Sequence, residues 1–482
     1  MTSEPQFPAD FLFGASTASY QIEGGVTEGG RLPSIWDTFA ATPGKVLDGD
    51  TGDVACDHYN RLEDDVAAMA ELGLTAYRFS MAWPRIQPAG SGEFNQEGFD
   101  FYHRLFDALE KHNIVPMVTL YHWDLPQALE DQGGWPERFI VDRFVEYARR
   151  TAEEFKDRAI YWTTFNEPWC TAFLGYGSGA HAPGRSEPAN SLVAAHHLNL
   201  AHGLAYKAIK EVHPEAQVSI VLNSHLPRPW NVADPLDVEA AHKIDALANR
   251  IFMDPLTKGE YPADLLEFTS ELTDWSFVQP GDLEAIKGTV DVLGVNYYSS
   301  HSVRHHAGPR ADTGEDGHKT TRFSCWPGAD DVEFMPLNGP RTTMGWNVDA
   351  SGFHAHLNRM WRDVGVPIFV TENGASWPDE VDQDGRIRDV DRYTYYHDHL
   401  LALLRAREDG ADIRGYMAWS LMDNFEWGWG YSKRFGMIRV NYDSLARSWK
   451  DSAYWYRETI RSRTVAPLLN IEEFVETPPR SY

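Results

Sequence analysis

Short apolar segments alternate with longer amphipathic segments along the whole chain. The short segments are rich in β-branched and aromatic residues, as buried strands are, and the longer ones repeat apolar residues at the three- and four-residue spacing of a helix. The predicted strands are 11–14, 76–80, 115–120, 161–166, 218–223, 290–296, 368–371 and 415–419. The predicted helices include 62–72, 99–112, 137–155, 192–212, 351–364 and 393–406.

Eight strand-then-helix units predict an α/β fold, a single (β/α)8 TIM barrel. Almost continuously apolar strands, such as the run from Val292 to Val295, favour a parallel sheet covered on both faces. The longest connections, 84–94, 175–187 and 299–347, follow strands, so we expect long βα loops on the C-terminal face. No break in composition marks a linker, which predicts one catalytic barrel domain over residues 1–482, with the tail from residue 464 lying over the surface.

Composition limits the classes of partner. A formal net charge of −28 disfavours nucleic acid and anionic membranes, since both would be repelled. No apolar run approaches the roughly 18 residues of a spanning helix, and residues 1–10 show no basic segment followed by an apolar one. The three cysteines, Cys56, Cys170 and Cys325, form no CxxC pair, which predicts neither a disulfide framework nor a zinc site. We therefore expect a cytoplasmic protein without cofactor, whose oligomeric state, a homo-oligomer included, stays open.

Two carboxylates come at strand ends about two hundred residues apart. Glu372 ends an apolar run and precedes an Asn-Gly turn, and Glu167 follows the fourth predicted strand and is followed by Pro168. Strand ends of one barrel meet at one mouth, and a glycosidase needs two carboxyl groups on either side of the scissile bond. This pattern predicts a glycosidase.

The other strand ends carry side chains suited to a neutral polyol. Amides, histidine and carboxylates can pair with sugar hydroxyls, and tryptophan offers a flat apolar face. Any one of them alone is more often a turn former or a core filler, but together they predict a sugar site. The set is Gln21, Arg78, His122, Trp123, Asn166, Asn223, Asn296, Tyr298, Trp419, Glu426 and Trp427.

Three motifs in order make the chain resemble the family 1 glycoside hydrolases, the β-glucosidase group, over nearly its full length. The run from Phe11 to Gly24 is similar to the N-terminal signature of that family. The run from Val370 to Gly374 is similar to its nucleophile signature, and the run from Thr164 to Pro168 to its acid/base motif. The resemblance implies a retaining, exo-acting β-glycosidase, most simply a β-glucosidase, acting on small β-glucosides, cello-oligosaccharides and aryl glycosides.

The resemblance also assigns roles by position. It implies that Glu372 is the nucleophile and Glu167 the general acid/base, with Arg78 and Tyr298 supporting the nucleophile. We expect Arg78 to lower the pKa of Glu372, and the negative Glu372 to raise that of Glu167. The implied sugar contacts are Gln21, His122, Trp123, Asn166, Glu426 and Trp427, with Trp419 as the aromatic floor and Asn223 and Asn296 at the entrance. Further candidates on the leaving-group side are Trp169, Cys170, Trp326 and Trp346.

Three alternatives remain. By the same resemblance, a 6-phospho-β-glycosidase would carry a smaller residue in place of Glu426, and a lysine and a tyrosine to hold the phosphate. This chain keeps Glu426, whose charge would repel a phosphate, and has Lys433 but Phe435 in place of the tyrosine. These residues favour an unphosphorylated sugar. A non-catalytic sugar-binding barrel would have lost one carboxylate. A metal-dependent barrel hydrolase or isomerase would need clustered histidine and aspartate ligands at the strand ends.

The remaining histidines suggest no metal site. Those on the predicted helix 192–212 lack a glutamate or cysteine to complete a ligand set, so we expect them on the helix surface. Those of the long loop are expected to face solvent. The residues are His196, His197 and His202 on the helix and His301, His305 and His306 in the loop.

Overall fold

The computed structural model describes residues 6–476 and 478–482, and within them eight parallel strands close into a barrel. Residues 1–5, where we expect no basic segment followed by an apolar one, and residue 477 in the tail lie outside the described residues. The neighbour order around the barrel is β1-β8-β7-β6-β5-β4-β3-β2. The strands are β1 Leu12–Ser16, β2 Ala76–Ser80, β3 Val115–Tyr121, β4 Tyr161–Asn166, β5 Gln217–Asn223, β6 Leu293–Asn296, β7 Ile368–Asn373 and β8 Ile413–Ala418. All eight predicted strands are present, and the predicted TIM barrel is confirmed.

Helices follow the strands and cover the barrel from outside. Six correspond to the predicted ones: His58–Leu72, Gln96–Lys111, Phe139–Phe155, Pro188–Val212, Ala350–Val364 and Val390–Glu408. Three further helices complete the outer layer: Pro235–Asp245, Ile251–Thr257 and Asp451–Ser462. Shorter helical turns are Ser19–Ile22, Ile35–Ala40, Trp83–Ile86, Gln127–Glu130, Ala263–Phe268 and Asp282–Ile286. Within the described part of the chain, none of the helices combines the length and apolarity needed to cross a membrane.

The barrel interior is sealed at its N-terminal end by apolar side chains. A cluster separate from the main core fills this end, because inward-facing residues of several strands meet there. Its buried members are Ala76, Met117, Val292, Phe369 and Met417. A ligand can therefore enter only from the C-terminal end.

Both strands that precede the two carboxylates are irregular at their ends. The pairing of β4 with β5 shifts register between Thr163 and Asn166. The pairing of β7 with β6 shifts between Val370 and Glu372. A bulge bends a strand and re-aims the side chains that follow it. Each carboxylate thus leaves the regular barrel wall at a bulge.

The long loop after β6 contains strands that periodicity did not reveal. His301–His305 pairs antiparallel with Val332–Met335 and parallel with Pro227–Pro229, which makes a three-stranded sheet. These strands have only three to five residues each. Runs that short are poorly distinguished from loop by hydrophobic pattern alone.

The tail is attached to the barrel by backbone pairing. Arg447 and Tyr482 exchange N–H···O bonds of 2.8 and 3.0 Å, and the Trp449 N–H donates to the Arg480 carbonyl at 2.9 Å. The tail therefore adds to the strand pair Ile438–Val440 and Arg447–Trp449. It lies over the surface as predicted, and it is paired there.

The expectation of surface histidines on the helix Pro188–Val212 is wrong. His196, His197 and His202 are buried, because this helix is covered by neighbouring elements on most of its circumference. His196 Nε2 lies 2.9 Å from Asp282 Oδ2, and His202 Nδ1 lies 2.7 Å from the Thr164 hydroxyl. Burial lowers the pKa of His202 to about 4, so this ring is neutral at pH 7. The histidines have structural partners in the core.

A buried ion pair joins the helix His58–Leu72 to the strand Arg447–Trp449. The Arg447 guanidinium donates to both oxygens of Asp65, at 3.0 and 3.1 Å, and His58 Nδ1 lies 2.8 Å from Asp65 Oδ2. Burial acts to raise the pKa of Asp65, but the hydrogen bonds and charges of His58 and Arg447 hold it below its ordinary value. All three side chains are buried, so the pair is shielded from water.

We expect Asp65→Asn to destabilise the protein by about 3–5 kcal/mol, because it leaves a buried guanidinium without its counter-charge. Urea unfolding followed by circular dichroism measures the change. The matched control is Glu146→Gln, which removes an exposed partner of Arg143 and should change stability by less than about 0.5 kcal/mol. Equal midpoints for the two variants would contradict a stabilising role for this pair.

Candidate active site

A cavity of about 480 Å³ opens at the C-terminal end of the barrel. It is lined by most of the predicted site residues: His122, Trp123, Glu167, Asn223, Asn296, Tyr298, Glu372, Trp419, Glu426 and Trp427. The other three, Gln21, Arg78 and Asn166, are fully buried. Arg78 and Asn166 hydrogen-bond to lining residues from behind, and Gln21 donates to the carbonyl of Phe425, the residue before Glu426. The structure thus brings the whole predicted set to one place.

Glu372 is held at the end of β7 by two donors. Arg78 donates to Glu372 Oε1 at 2.6 Å, and the Tyr298 hydroxyl donates to Oε2 at 2.5 Å. The turn that follows requires glycine, because a Cβ on Gly374 would lie 1.7 Å from the carbonyl oxygen of Trp419. The Asn-Gly turn therefore lets the end of β8 pass beside Glu372.

Glu167 occupies a strained backbone position. Its φ of +48° is in the left-handed region, as are those of Trp123 and Trp427, which line the same cavity. Such conformations cost on the order of 1–3 kcal/mol each and cluster at functional sites. The carboxyl of Glu167 accepts the Asn296 amide on Oε1 at 2.7 Å and the Cys170 thiol on Oε2 at 3.1 Å.

A hydrogen-bond network links the surroundings of the two carboxylates. Asn166 Oδ1 accepts from Arg78 at 2.6 Å and from the Asn296 amide at 3.1 Å. Arg78 also pairs with Glu372, and Asn296 also donates to Glu167. The residues that bond one carboxylate are therefore hydrogen-bonded, through Asn166, to the residues that bond the other.

The two carboxylates differ in how their charge is stabilised. Burial and the negative charge of Glu372 raise the pKa of Glu167 to about 8. Burial also raises the pKa of Glu372, and the Arg78 charge and the Tyr298 hydrogen bond oppose that increase. Arg78 acts to lower the pKa of Glu372 as expected, but burial outweighs it, so the pKa of Glu372 is raised overall. The order expected for the pair holds: Glu372 is the better stabilised anion.

A third carboxyl group, Glu426, faces the same cavity. Burial and the charges of Glu372 and Glu167 raise its pKa to about 8. The buried side-chain atoms that have no hydrogen-bond partner within residues 6–476 and 478–482 include three at this cavity: Glu426 Oε2, Gln21 Oε1 and His122 Nδ1. Buried polar atoms are rarely left unpaired in native proteins, so these three atoms are available for the hydroxyls of a ligand.

Tryptophan rings form an apolar wall beside these polar atoms. The ring of Trp427 lies 4.5 Å from those of Trp36 and Trp123, measured between centroids. His122 is nearly parallel to Trp419, with centroids 6.1 Å apart. Such a wall can accept the C–H face of a sugar ring while the polar atoms hold its hydroxyls.

The four leaving-group candidates divide into two pairs. Cys170 and Trp346 line the cavity. Trp169 and Trp326 lie behind it, with ring centroids 4.8 Å apart, and so act in packing.

Several lining residues were not predicted. Four come from loops, where no period points to them: His181, His225, His318 and Phe435. The other two, Leu174 and Trp429, lie in the helical turns Cys170–Ser178 and Trp427–Trp429. His301 also lines the cavity and is buried, so the expectation that it faces solvent is wrong. Lys433 donates to the Thr343 carbonyl at 2.6 Å and lies 4.7 Å from the Trp429 ring centroid, so it is more constrained than a solvated loop residue.

Within the described ranges, His, Cys, Asp and Glu side chains form no group of three or more arranged to hold a metal ion. The polar groups that line the cavity include amides, carboxyls, hydroxyls, histidine rings, the Cys170 thiol and the Lys319 ammonium, and the Arg78 guanidinium lies behind them. This arrangement can bind hydroxyls and transfer protons with the chain's own residues.

Comparison with known proteins finds matches to this chain both in sequence and in structure. The model of glycosyl hydrolase family 1 matches residues 3–465. The chain is 48% identical to the bifunctional beta-D-glucosidase/beta-D-fucosidase of Bifidobacterium breve over 464 residues, 94% of this chain and 98% of that one. It is 41% identical to a 1,4-beta-D-glucan glucohydrolase of Thermotoga neapolitana over 459 residues, 95% of this chain and 98% of that one. The crystal structure of the psychrophilic beta-glucosidase BglU from Micrococcus antarcticus superimposes with a TM-score of 0.90 at 44% identity, covering 95% of this chain and 98% of that chain.

The raised pKa of Glu167 has a consequence for stability. The folded protein binds this proton more tightly than the unfolded chain, whose carboxyl has a pKa of 4.5. The stabilisation is complete below about pH 4.5 and is lost as the pH rises towards 8. We expect Glu167→Gln to melt above the wild type at pH 9, by about 1 °C for each kcal/mol regained in a chain of 482 residues, with a smaller difference at pH 5.

Differential scanning fluorimetry between pH 5 and pH 9 measures both proteins. The matched control is Glu153→Gln, an exposed position on the helix Phe139–Phe155, whose difference from wild type should not change with pH. A Glu167→Gln difference that is constant across this range would show that Glu167 does not carry a raised pKa.

Proposed function

The chain belongs to glycosyl hydrolase family 1, and we propose that it is a retaining, exo-acting β-glucosidase. It is a glycoside hydrolase, and the resemblance noted in its motifs is confirmed by the family match. One observation carries the proposal: two buried carboxyl groups face one cavity, and only Glu372 is bonded to a cation. That inequality matches the different protonation states that the two steps of the reaction need.

In the first step, Glu372 attacks the anomeric carbon of the β-glucoside. A bond forms between a carboxylate oxygen and that carbon, the glycosidic C–O bond breaks, and the proton of Glu167 moves to the departing oxygen. Arg78 and Tyr298 hold Glu372 as the anion that attacks. Because its pKa is raised, Glu167 still carries the proton that it donates near neutral pH.

In the second step, Glu167 acts as a base. Ester formation neutralises Glu372, which removes the nearby negative charge that raised the pKa of Glu167. Glu167 then takes a proton from water, the water oxygen attacks the anomeric carbon, and Glu372 leaves as the carboxylate. Two displacements at one carbon return the β configuration.

The substrate is a small β-glucoside, from which the enzyme releases one terminal glucosyl unit. The cavity is closed at the barrel's N-terminal end, and the unpaired atoms of Gln21, His122 and Glu426 are buried in or beside its wall. They would bind the terminal sugar, with Asn166 on its 2-hydroxyl, Trp427 and Trp123 beside it and Trp419 as its floor. Asn223 and Asn296 would lie towards the leaving group. We include aryl glucosides and cello-oligosaccharides among the substrates. The names of the relatives, a bifunctional beta-D-glucosidase/beta-D-fucosidase and a 1,4-beta-D-glucan glucohydrolase, support β-D-glucosides and 1,4-β-D-glucans as the substrate class.

The proposal includes the cellular setting. We place the enzyme in the cytoplasm, where cello-oligosaccharides derived from cellulose would be hydrolysed, in one catalytic domain over residues 1–482 and without cofactor. The support is that Cys56, Cys170 and Cys325 are all free, as in reducing compartments. The net charge of −28 disfavours nucleic-acid and membrane partners. A homo-oligomer is compatible with this proposal.

Stereochemistry tests the assignment of the two carboxylates. We expect proton NMR of aryl β-D-glucoside hydrolysis to show β-glucose first, with α-glucose appearing only by mutarotation. Glu372→Gln should release no sugar, and Glu167→Gln should lose about 10²–10⁴-fold in kcat/KM on a substrate with a poor leaving group. α-Glucose appearing first would exclude the two-displacement mechanism.

A second comparison tests the 6-phospho-β-glycosidase alternative. Glu426 offers a 6-phosphate no positive charge and repels it when ionised, Lys433 is already bonded to the Thr343 carbonyl, and Phe435 has no hydroxyl to offer. We expect turnover of the aryl β-D-glucoside and at least a 100-fold lower kcat/KM for its 6-phosphate, equivalent to about 2.7 kcal/mol. Glu426→Ser should narrow that ratio, and preference of the wild type for the phosphate would contradict the proposal.

A further inference from the structure

The second oxygen of Glu167 has a sulfur partner. The Cys170 thiol lies 3.1 Å from Glu167 Oε2, three residues along the chain at the start of the helical turn Cys170–Ser178. The same thiol lines the cavity and is 6% exposed. On its other side, the Asn223 amide nitrogen lies 3.5 Å from the sulfur. Cys170 thus stands between Glu167 and a residue at the cavity entrance.

The direction of these bonds follows from the chemistry of each group. The Asn223 amide nitrogen can only donate, so the sulfur accepts there. The thiol hydrogen is then free to point to Glu167 Oε2. Glu167 Oε1 is already taken by the Asn296 amide, which is also a donor. Burial and the charge of Glu167 raise the pKa of Cys170 well above its ordinary value, so the sulfur keeps its proton.

We propose that Cys170 is a positioning residue for the acid/base carboxyl. Its S–H donates to Oε2 of ionised Glu167 and keeps that oxygen on the leaving-group side of the cavity. This inference rests on the proposed function, since it assigns the proton-transferring oxygen to Oε2. A donor to the ionised form stabilises it and lowers the pKa of the carboxyl. The thiol therefore partly offsets the increase that burial and Glu372 cause.

Other charged or titratable groups face Glu167 from separate elements. Glu372 ends β7, Arg78 lies in β2, Tyr298 follows β6 and Glu426 follows β8. In the described part of the chain, none of these four has a hydrogen bond to Oε2 of Glu167. Removing the thiol leaves all four charges in place, so its effect should be confined to the titration of Glu167.

The pH dependence of kcat/KM for an aryl β-D-glucoside tests the inference. Its acidic limb reports the nucleophile and its basic limb the acid/base of the free enzyme. We expect Cys170→Ala to move the basic limb upward by about half a pH unit, the size of one weak hydrogen bond, with the acidic limb unchanged. Cys170→Ser keeps a donor and should hold the basic limb at or below the wild-type value.

The control is Cys56→Ala, a buried thiol that donates to the Asp423 carbonyl away from the cavity and should leave both limbs unchanged. A basic limb that stays in place in Cys170→Ala overturns the inference. So does a Cys170→Ser profile that follows Cys170→Ala, or a shift of both limbs by the same amount. Thermal melts at one pH confirm that each variant is folded.

A spectroscopic measurement judges the contact without turnover. We expect the S–H stretching band of one thiol in the wild-type infrared spectrum to move to lower wavenumber as Glu167 loses its proton, near pH 8. The change should vanish in both Glu167→Gln and Cys170→Ser. Bands that do not respond to pH overturn the inference. If glucosides were not hydrolysed while the band shifted, the proposed function would fail and the contact would stand.

Discussion

The ion pair between Arg78 and Glu372 is the interaction on which the rest of the site depends. Three buried carboxyl groups, Glu167, Glu372 and Glu426, face one cavity, and such a group of like charges is unfavourable away from water. Arg78 donates to Glu372 and to the amide oxygen of Asn166, so one cation fixes the anion and the neighbour of the second carboxyl. The other two carboxyl groups then respond by raised pKa values.

Polar groups in the core and in the cavity differ in how completely they are bonded. Asp65 is surrounded by His58 and Arg447, which use both of its oxygens, and it joins the helix His58–Leu72 to the strand Arg447–Trp449. Gln21 and Glu426 each bury an oxygen that has no hydrogen-bond partner in the described part of the chain. A structural group gains stability by being satisfied within the chain, whereas a binding group must leave capacity for its ligand. Because these two oxygens lie in or beside the cavity wall, they can accept hydrogen bonds from a bound sugar.

The backbone around the cavity is strained where the regular barrel has ended. Glu167, Trp123 and Trp427 have left-handed φ values, and the register shifts in β4 and β7 come just before the two carboxylates. Packing elsewhere in the barrel must stabilise this geometry, because isolated segments would relax from it. The requirement at Gly374 has the same origin, since the Trp419 carbonyl passes where a side chain would begin. The strained residues beside the cavity therefore depend on the regular barrel below them to keep their conformation.

The sequence by itself determined the eight strands, the barrel and the two carboxylates at its mouth, because strand periodicity and short motifs are local properties of the chain. The tertiary structure decided what depends on contacts between distant residues. Trp346 faces the cavity while Trp326 packs behind it, and His202 is buried although its helix suggested solvent. Burial outweighs Arg78 at Glu372, and a thiol meets Glu167 Oε2. Burial, charge and hydrogen-bond partners are set by packing, and no local pattern records them.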